Sequence, residues 1–427
     1  MSERPMELRP GYKQTDVGAI PEEWEVKPCS AIADRIMVGI VIRPAQYYVK
    51  QGIPAFRSAN IREDGINDAD LVYISERSNT LLAKSQVRAG DVLTVRTGYP
   101  GTTAVVTADV AGSNCIDILI TRPSRGTSSE YLASWINSPF GKEQVLRNQG
   151  GMAQQHFNVG DLRELVVALP PLPEQRAIAE ALSDVDELIT SLDCLIAKKR
   201  DVKQGAMQQL LTGKTRLPGF TGSGRLRHTE VGLIPEEWTL RPLLTTVSVA
   251  NGQVDPSAAP YKSMILVAPD HVERDSGRLL KTQTAEDQNA ISGKYLFAPG
   301  DIIYSKIRPY LRKATLATFS GLCSADMYPL RPASDVAPGF MLATILGFRF
   351  SLYADSVSVR SGMPKINRAE LASFVVALPP LKEQSAIADV LSDMDVEITA
   401  LEARRDKTKL LKQGMMQELL TGKTRLV

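Results

Sequence analysis

Two stretches of this chain carry apolar residues in alternating steps of four and three. Ile178, Leu182, Val185, Ile189, Leu192 and Ile196 form the first stripe. Ile387, Leu391, Met394, Ile398 and Leu401 form the second, which then places Arg405 where the first has Ile196. An average step near 3.5 is the seam of a coiled coil. Each stripe follows a proline pair, Pro170-Pro171 or Pro379-Pro380, which a helix interior would not tolerate. Each then turns basic (Lys198, Lys199, Arg200, Lys203; Arg404, Arg405, Lys407, Lys409, Lys412) and closes at Thr-Gly-Lys, where Gly213 and Gly422 are natural C-terminal caps. Glu174 to Thr212 is 39 residues, so each helix reaches about 58 Å.

The rest of the chain has shorter periods. Asp91–Arg96 and Asp301–Lys306 are strand-like, each introduced by Gly-Asp at matched positions, and helices are predicted near Glu130–Ile136 and Gly339–Leu346. Strand-like runs interrupted by turns indicate an α+β globular body before each long helix. The whole plan is therefore written twice. Val17-Gly18-Ala19-Ile20-Pro21-Glu22-Glu23-Trp24 returns as Val231-Gly232-Leu233-Ile234-Pro235-Glu236-Glu237-Trp238. Leu169-Pro170-Pro171-Leu172-Pro173-Glu174-Gln175 returns as Leu378-Pro379-Pro380-Leu381-Lys382-Glu383-Gln384, and Leu210–Leu217 returns letter for letter as Leu419–Leu426. A repeat this long implies two similar domains rather than a solenoid. The predicted boundaries are a first domain over 1–168, a helix over 169–217, a flexible glycine-rich linker over 218–230, a second domain over 231–377 and a second helix over 378–427. Paired antiparallel, the helices would be a rod with a domain at each end, and so a ruler. Trp24 and Trp238 are expected to be core anchors.

Composition adds little. The chain has 427 residues, is 43% hydrophobic and 23% charged and has a net charge of +2, so any nucleic-acid contact must come from local patches. Cys29, Cys115, Cys194 and Cys323 lie far apart, with neither a CxxC pair nor a nearby histidine, and read as reduced cytosolic thiols rather than metal ligands. Met1 to Pro10 lacks an apolar core and there is no run of 18 apolar residues, so the expectation is a cytoplasmic protein without a membrane span.

The ordered set of variable domain, Leu-Pro-Pro-Leu-x-Glu-Gln, long helix and Leu-Thr-Gly-Lys-x-Arg, all in duplicate from Tyr12 to Leu426, resembles the specificity subunit of type I restriction–modification systems. The resemblance implies an α+β chain of two pseudo-symmetric target recognition domains separated by two long helices that form an antiparallel coiled coil. It implies that each domain reads one half of a bipartite site in double-stranded DNA. It further implies that the helices fix the gap and dock two adenine methyltransferase (modification) subunits, which hold the S-adenosylmethionine. Motor–nuclease (restriction) subunits remain an open further partner. No catalysis and no cofactor are then expected in this chain.

The residues agree on the missing chemistry. The nearest string to an amino-methyltransferase motif, Asn137-Ser138-Pro139-Phe140, breaks the pattern. Gly213-Lys214-Thr215 and Gly422-Lys423-Thr424 lack the earlier glycine of a phosphate loop and close a helix instead of opening one.

Donor-rich loops are the candidate DNA contacts. In the first domain these are Arg57, Ser58, Asn60 and Arg62; Arg96, Thr97 and Tyr99; and Gln154, Gln155 and His156. In the second they are His271; Lys306, Arg308 and Tyr310; and Arg360, Ser361 and Lys365. The bland alternative is a set of solvated turns. Pro170, Pro171, Glu174, Gln175, Pro379, Pro380, Glu383 and Gln384 can start and cap the helices, and the resemblance adds a place in the surface that docks the methyltransferases. The basic turns on the helices read first as charges favoured by the helix dipole and second as DNA contacts. A rival of another class is a coiled-coil adaptor that bridges two proteins without reading DNA, for which no salt-dependent DNA binding is expected.

Overall fold

In the computed structural model, residues 9–147, 156–358 and 362–426 are described. The chain divides into two units, Met1–Asp193 with Arg404–Val427, and Cys194–Ala403. Each unit therefore contains one globular body, part of both long helices and the tail that follows the opposite repeat's helix.

The first body is built on an antiparallel sheet in the order Thr103–Val105, Val92–Val95, Ile118–Pro123, Ala33–Val38. The second body repeats it as Ala314–Leu316, Ile302–Ser305, Met327–Pro332, Val247–Val249. The Gly-Asp before each central strand has a structural use. Asp91 and Asp301 are buried and receive two hydrogen bonds each from Arg122 and Arg331 on the neighbouring strand. The bodies part company in their second sheets. In both, a short parallel pair is present (Ile53–Phe56 with Asn114–Cys115; Leu266–Val267 with Gly321–Cys323). Val72–Ile74 then joins on the Ile53–Phe56 side in the first body, whereas Tyr295–Phe297 joins on the Gly321–Cys323 side in the second.

The predicted helices stand at Ser129–Asn137 and Pro338–Leu346. Tyr131 and Trp135 of the first share a core with Trp24, and Phe340 of the second shares one with Trp238 and Phe350. The linker expected over 218–230 ends earlier than that. Leu226–Thr229 is a strand paired with Gly232–Pro235, as Tyr12–Thr15 pairs with Gly18–Pro21, because Arg225 and its neighbours belong to the repeat's opening hairpin. Burial pushes the Cys29 and Cys323 thiols up to about 12, which keeps both protonated and inert.

The long helices run Leu172–Leu210 and Leu381–Leu419, 39 residues each. Ile178 and Leu182 are buried in the first unit's core together with Met416 and Leu419; Ile387 and Leu391 are buried in the second's together with Leu210. The helix segments in each unit are antiparallel, and charge sets their register. Asp186 meets Lys412 at 2.7 Å and Asp193 meets Arg405 at 3.2 Å in the first unit. In the second, Asp395 meets Lys203 and Glu397 meets Lys199. Lys199, Arg200, Lys203, Arg405, Lys409 and Lys412 of the basic turns thus meet carboxylates on the opposite helix, some 200 residues away in sequence, a use that neither reading of these turns foresaw.

Each helix ends as its glycine predicts. Gly213 and Gly422 have φ of +68° and +67°. Each also presses its α-carbon on a proline, so a Cβ would come within 2.4 Å of Pro235 or 2.5 Å of Pro21. Only glycine satisfies both demands.

Candidate nucleic-acid interface

Behind the tail glycine, each unit is closed by the same clasp. Trp24 Nε1 donates to Glu174 Oε2 at 3.0 Å, and the Arg425 guanidinium grips both Glu174 oxygens and reaches Glu23. Trp238 Nε1 donates to Glu383 Oε2 at 3.1 Å, and Arg216 grips Glu383 and reaches Glu237. Beside it, Gln175 Oε1 accepts from the Ser128 N–H and Gln384 Oε1 accepts from the Ala337 N–H, so each glutamine caps the neighbouring helix of its body. Their amides donate to the Pro170 and Pro379 carbonyls. Pro170, Glu174, Gln175, Pro379, Glu383 and Gln384 are all buried. Their polar groups are consumed inside the unit, which removes these six from a partner-docking surface; Pro171 and Pro380 are exposed and stay available.

Several of the candidate contact loops join one another within each body. In the first, the strand Ile61–Arg62 packs beside the hairpin of Val92–Val95 and Thr103–Val105. Arg96 leaves that hairpin half-buried and bonds Asp117 Oδ1 at 2.7 Å. Thr97 Oγ1 lies 3.1 Å from His156 Nδ1, and the Phe157 N–H donates to the Arg96 carbonyl. Arg96, Thr97 and His156 thus form one cluster, with Arg62, Tyr99 and His156 exposed. Arg57 is more enclosed; its Nη2 donates to the Asp70 carbonyl, and Ser58 beside it is half-buried.

In the second body, Ile307 pairs with Lys365 and the Arg308 N–H donates to the Pro364 carbonyl, joining two of the predicted loops. Lys306 lies half-buried with its ammonium 5.0 Å above the Tyr328 ring, while Arg308, Tyr310 and Lys365 are exposed. The third loop arrives through Asp275, 3.5 Å from Arg312. Gln154, Gln155, Arg360 and Ser361 lie outside the described residues.

Two candidates are structural. Asn60 is buried, its Oδ1 accepting from the Arg57 N–H and its amide donating to the Asn67 and Ala69 carbonyls. His271 is buried in the matching turn, its Nδ1 3.3 Å from the Ala268 nitrogen and 3.1 Å from the Leu266 carbonyl. Each shapes its loop from within and presents no edge to a ligand. Sequence reasoning missed Arg43 and Arg312, whereas Arg274 stands in the loop it named with Asp270, His271 and Glu273. Arg43, like Arg308, takes a left-handed φ, and Arg274 is an exposed cation on the third loop of the second body. Arg43 and Arg312 gave no signal because neither sits in a glycine-rich turn.

The sequence pattern of the type I restriction modification DNA specificity domain matches residues 21–197 and 274–411. The specificity subunit of the Escherichia coli type I restriction enzyme EcoDI is 32% identical over 265 residues, 57% of this chain and 58% of that one, so the chain matches little more than half of that relative. The putative type I restriction enzyme MjaX specificity subunit of Methanocaldococcus jannaschii is 25% identical over 426 residues, 97% of each. Among solved structures, a chain described under the complex assembly and conformational transition of the type I R-M system superposes with a TM-score of 0.58 at 18% identity, covering 95% of this chain and 99% of its own length. The type I restriction-modification S subunit from M. genitalium gives 0.57 at 12% identity, covering 97% and 98%. At these identities the structures speak for the fold.

Proposed function

Because the chain belongs to the type I restriction–modification DNA specificity family, we propose that each of its two bodies reads one half of a split site in duplex DNA. The helix pair fixes the gap between the half-sites and docks two adenine methyltransferase subunits. S-adenosylmethionine binds those partners, and methyl transfer and any strand cleavage are their chemistry. The observation that carries this reading is the pairing of one shared scaffold with two different loop sets. The four-stranded sheet, the clasp and the helix-capping glutamine recur in both units, while Arg62, Arg96, Thr97 and His156 in one give way to Lys306, Arg308 and Lys365 in the other. A protein that only bridged two partners would have no use for two unlike cationic loop clusters on like scaffolds.

Arg308 is the best single probe of base reading. It is exposed, and its backbone is fixed by the bond to Pro364. R308A is expected to weaken specific binding by about 1–3 kcal/mol and to relax one position of one half-site. The deciding experiment is co-expression with the adenine methyltransferase encoded beside it, followed by single-molecule sequencing of the methylated DNA. One split motif, absent without this chain, is the expected result; a stable complex that adds no motif would favour the adaptor.

A further inference from the structure

The two bodies differ in most of their loop side chains, yet both place a tyrosine at the tip of the same hairpin. Between Val92–Val95 and Thr103–Val105 the tip carries Tyr99, 85% exposed, beside Pro100. Between Ile302–Ser305 and Ala314–Leu316 it carries Tyr310, 49% exposed, beside Pro309. Among the described residues neither ring has a hydrogen-bond or aromatic partner.

Both tips are stiff. Around Tyr99, the Thr102 N–H donates to the Tyr99 carbonyl and the Gly101 N–H to the Val95 carbonyl. Gly101 is pressed on Val145, where a Cβ would approach to 3.0 Å. Around Tyr310, Arg308 and Arg312 both hold left-handed φ. The Leu311 and Arg312 N–H groups close the turn, and Arg312 Nε anchors it to Ser351 Oγ at 3.0 Å. A single exposed aromatic on a loose turn is ordinary. The same ring on the same braced hairpin in two bodies whose other contacts differ calls for a shared use.

Side chains that differ between the bodies suit letters that differ between half-sites. A side chain common to both suits a step common to both. In a complex that methylates adenine in each half-site, that step is removal of the adenine from the base stack. A planar ring serves it without regard to sequence, since every base offers a face to stack on and apolar wedges open base steps. We infer that Tyr99 and Tyr310 are wedge residues, each stacking on an opened base step of duplex DNA in its own half-site and holding it open while the adenine is out. The inference rests on the reading above that each body sits on one half-site.

The test uses the full chain in complex with its methyltransferase, as wild type and as Y99A, Y99F, Y310A and Y310F. Methylation rates on plasmid DNA are read strand by strand by single-molecule sequencing, and co-elution with the methyltransferase checks assembly. Y99A should keep the motif's letters but slow methylation about tenfold or more at the adenine of one half-site only. Y310A should do so at the other, and the phenylalanine variants should stay near wild type. On a duplex with 2-aminopurine at the target adenine, the fluorescence rise on binding should shrink for the matching alanine variant. Wild-type rates on both strands in Y99A and Y310A would overturn the inference. So would altered motif letters, which indicate base reading, or a phenylalanine variant as slow as alanine, which assigns the effect to the hydroxyl. A wild-type complex with no split motif would instead sink the specificity reading, and the wedge with it.

Discussion

Glu174 and Glu383 lie in the first turn of a long helix, where a carboxylate is normally solvated, and neither touches water. Each is held by a tryptophan N–H and an arginine fork, so truncation would strand both partners. E174A is expected to destabilise the first unit by about 2–4 kcal/mol, below the range for a fully buried pair because Arg425 is partly exposed. Urea unfolding followed by tryptophan fluorescence would measure it, with E383A as the matched case in the second unit. Glu237 gives a pH signature. The Ser223 N–H, its own backbone N–H, the Ser223 hydroxyl and Arg216 together hold its carboxyl near 2 instead of the ordinary 4.5. Its contribution to stability is therefore complete above about 4.5 and drains away as pH falls toward 2. Acid-unfolding curves of E237Q should lack the loss that wild type shows in that window. None of this burial was legible in the chain, because Glu and Gln at a helix start read as surface residues until the tryptophan and arginine that cover them are known.

At the scale of elements, the long helices were legible almost to the residue, since period, proline stop and glycine cap are all local signals. Strand order was not, because the central sheet joins Ala33–Val38 to Ile118–Pro123 and no local pattern encodes that pairing. The role of the basic turns was hidden for the same reason. Each helix is acidic early and basic late, and antiparallel pairing lays one half on the other. Asp186 with Lys412 and Asp395 with Lys203 occupy equivalent places in the two repeats. Parallel pairing would set like charges together along the whole seam, so charge selects direction while the Ile/Leu stripe supplies adhesion. A double-mutant cycle on D186K and K412E should give a coupling of about 0.5–1 kcal/mol that shrinks with added salt, and the double exchange should recover most of the loss.

At the scale of the molecule, the repeat and the units do not coincide. The first body is closed by Thr421–Arg425, from the end of the second repeat, and the second by Thr212–Arg216, from the end of the first. The two tails are identical from Leu210 to Leu217 and from Leu419 to Leu426. A half-chain of Met1–Leu217 should therefore dimerise, with Arg216 of each copy on Glu174 of the other and Lys203 opposite Asp186. Sedimentation should show twice the half-chain mass; a folded, soluble monomer would contradict it. Under the proposed function, this dimer joined to a methyltransferase should mark a palindrome made from the first half-site.

Every body thus meets the rest of the protein through a joint of standard thread: one octapeptide, one tryptophan, one carboxylate and one glutamine. Nothing in that joint records which loops the body carries. Exchange of a body between two such chains by recombination leaves the fitting unchanged while replacing half of the address. A modest stock of bodies can then be combined pairwise into far more addresses than there are bodies, with no step at which the scaffold must be reinvented.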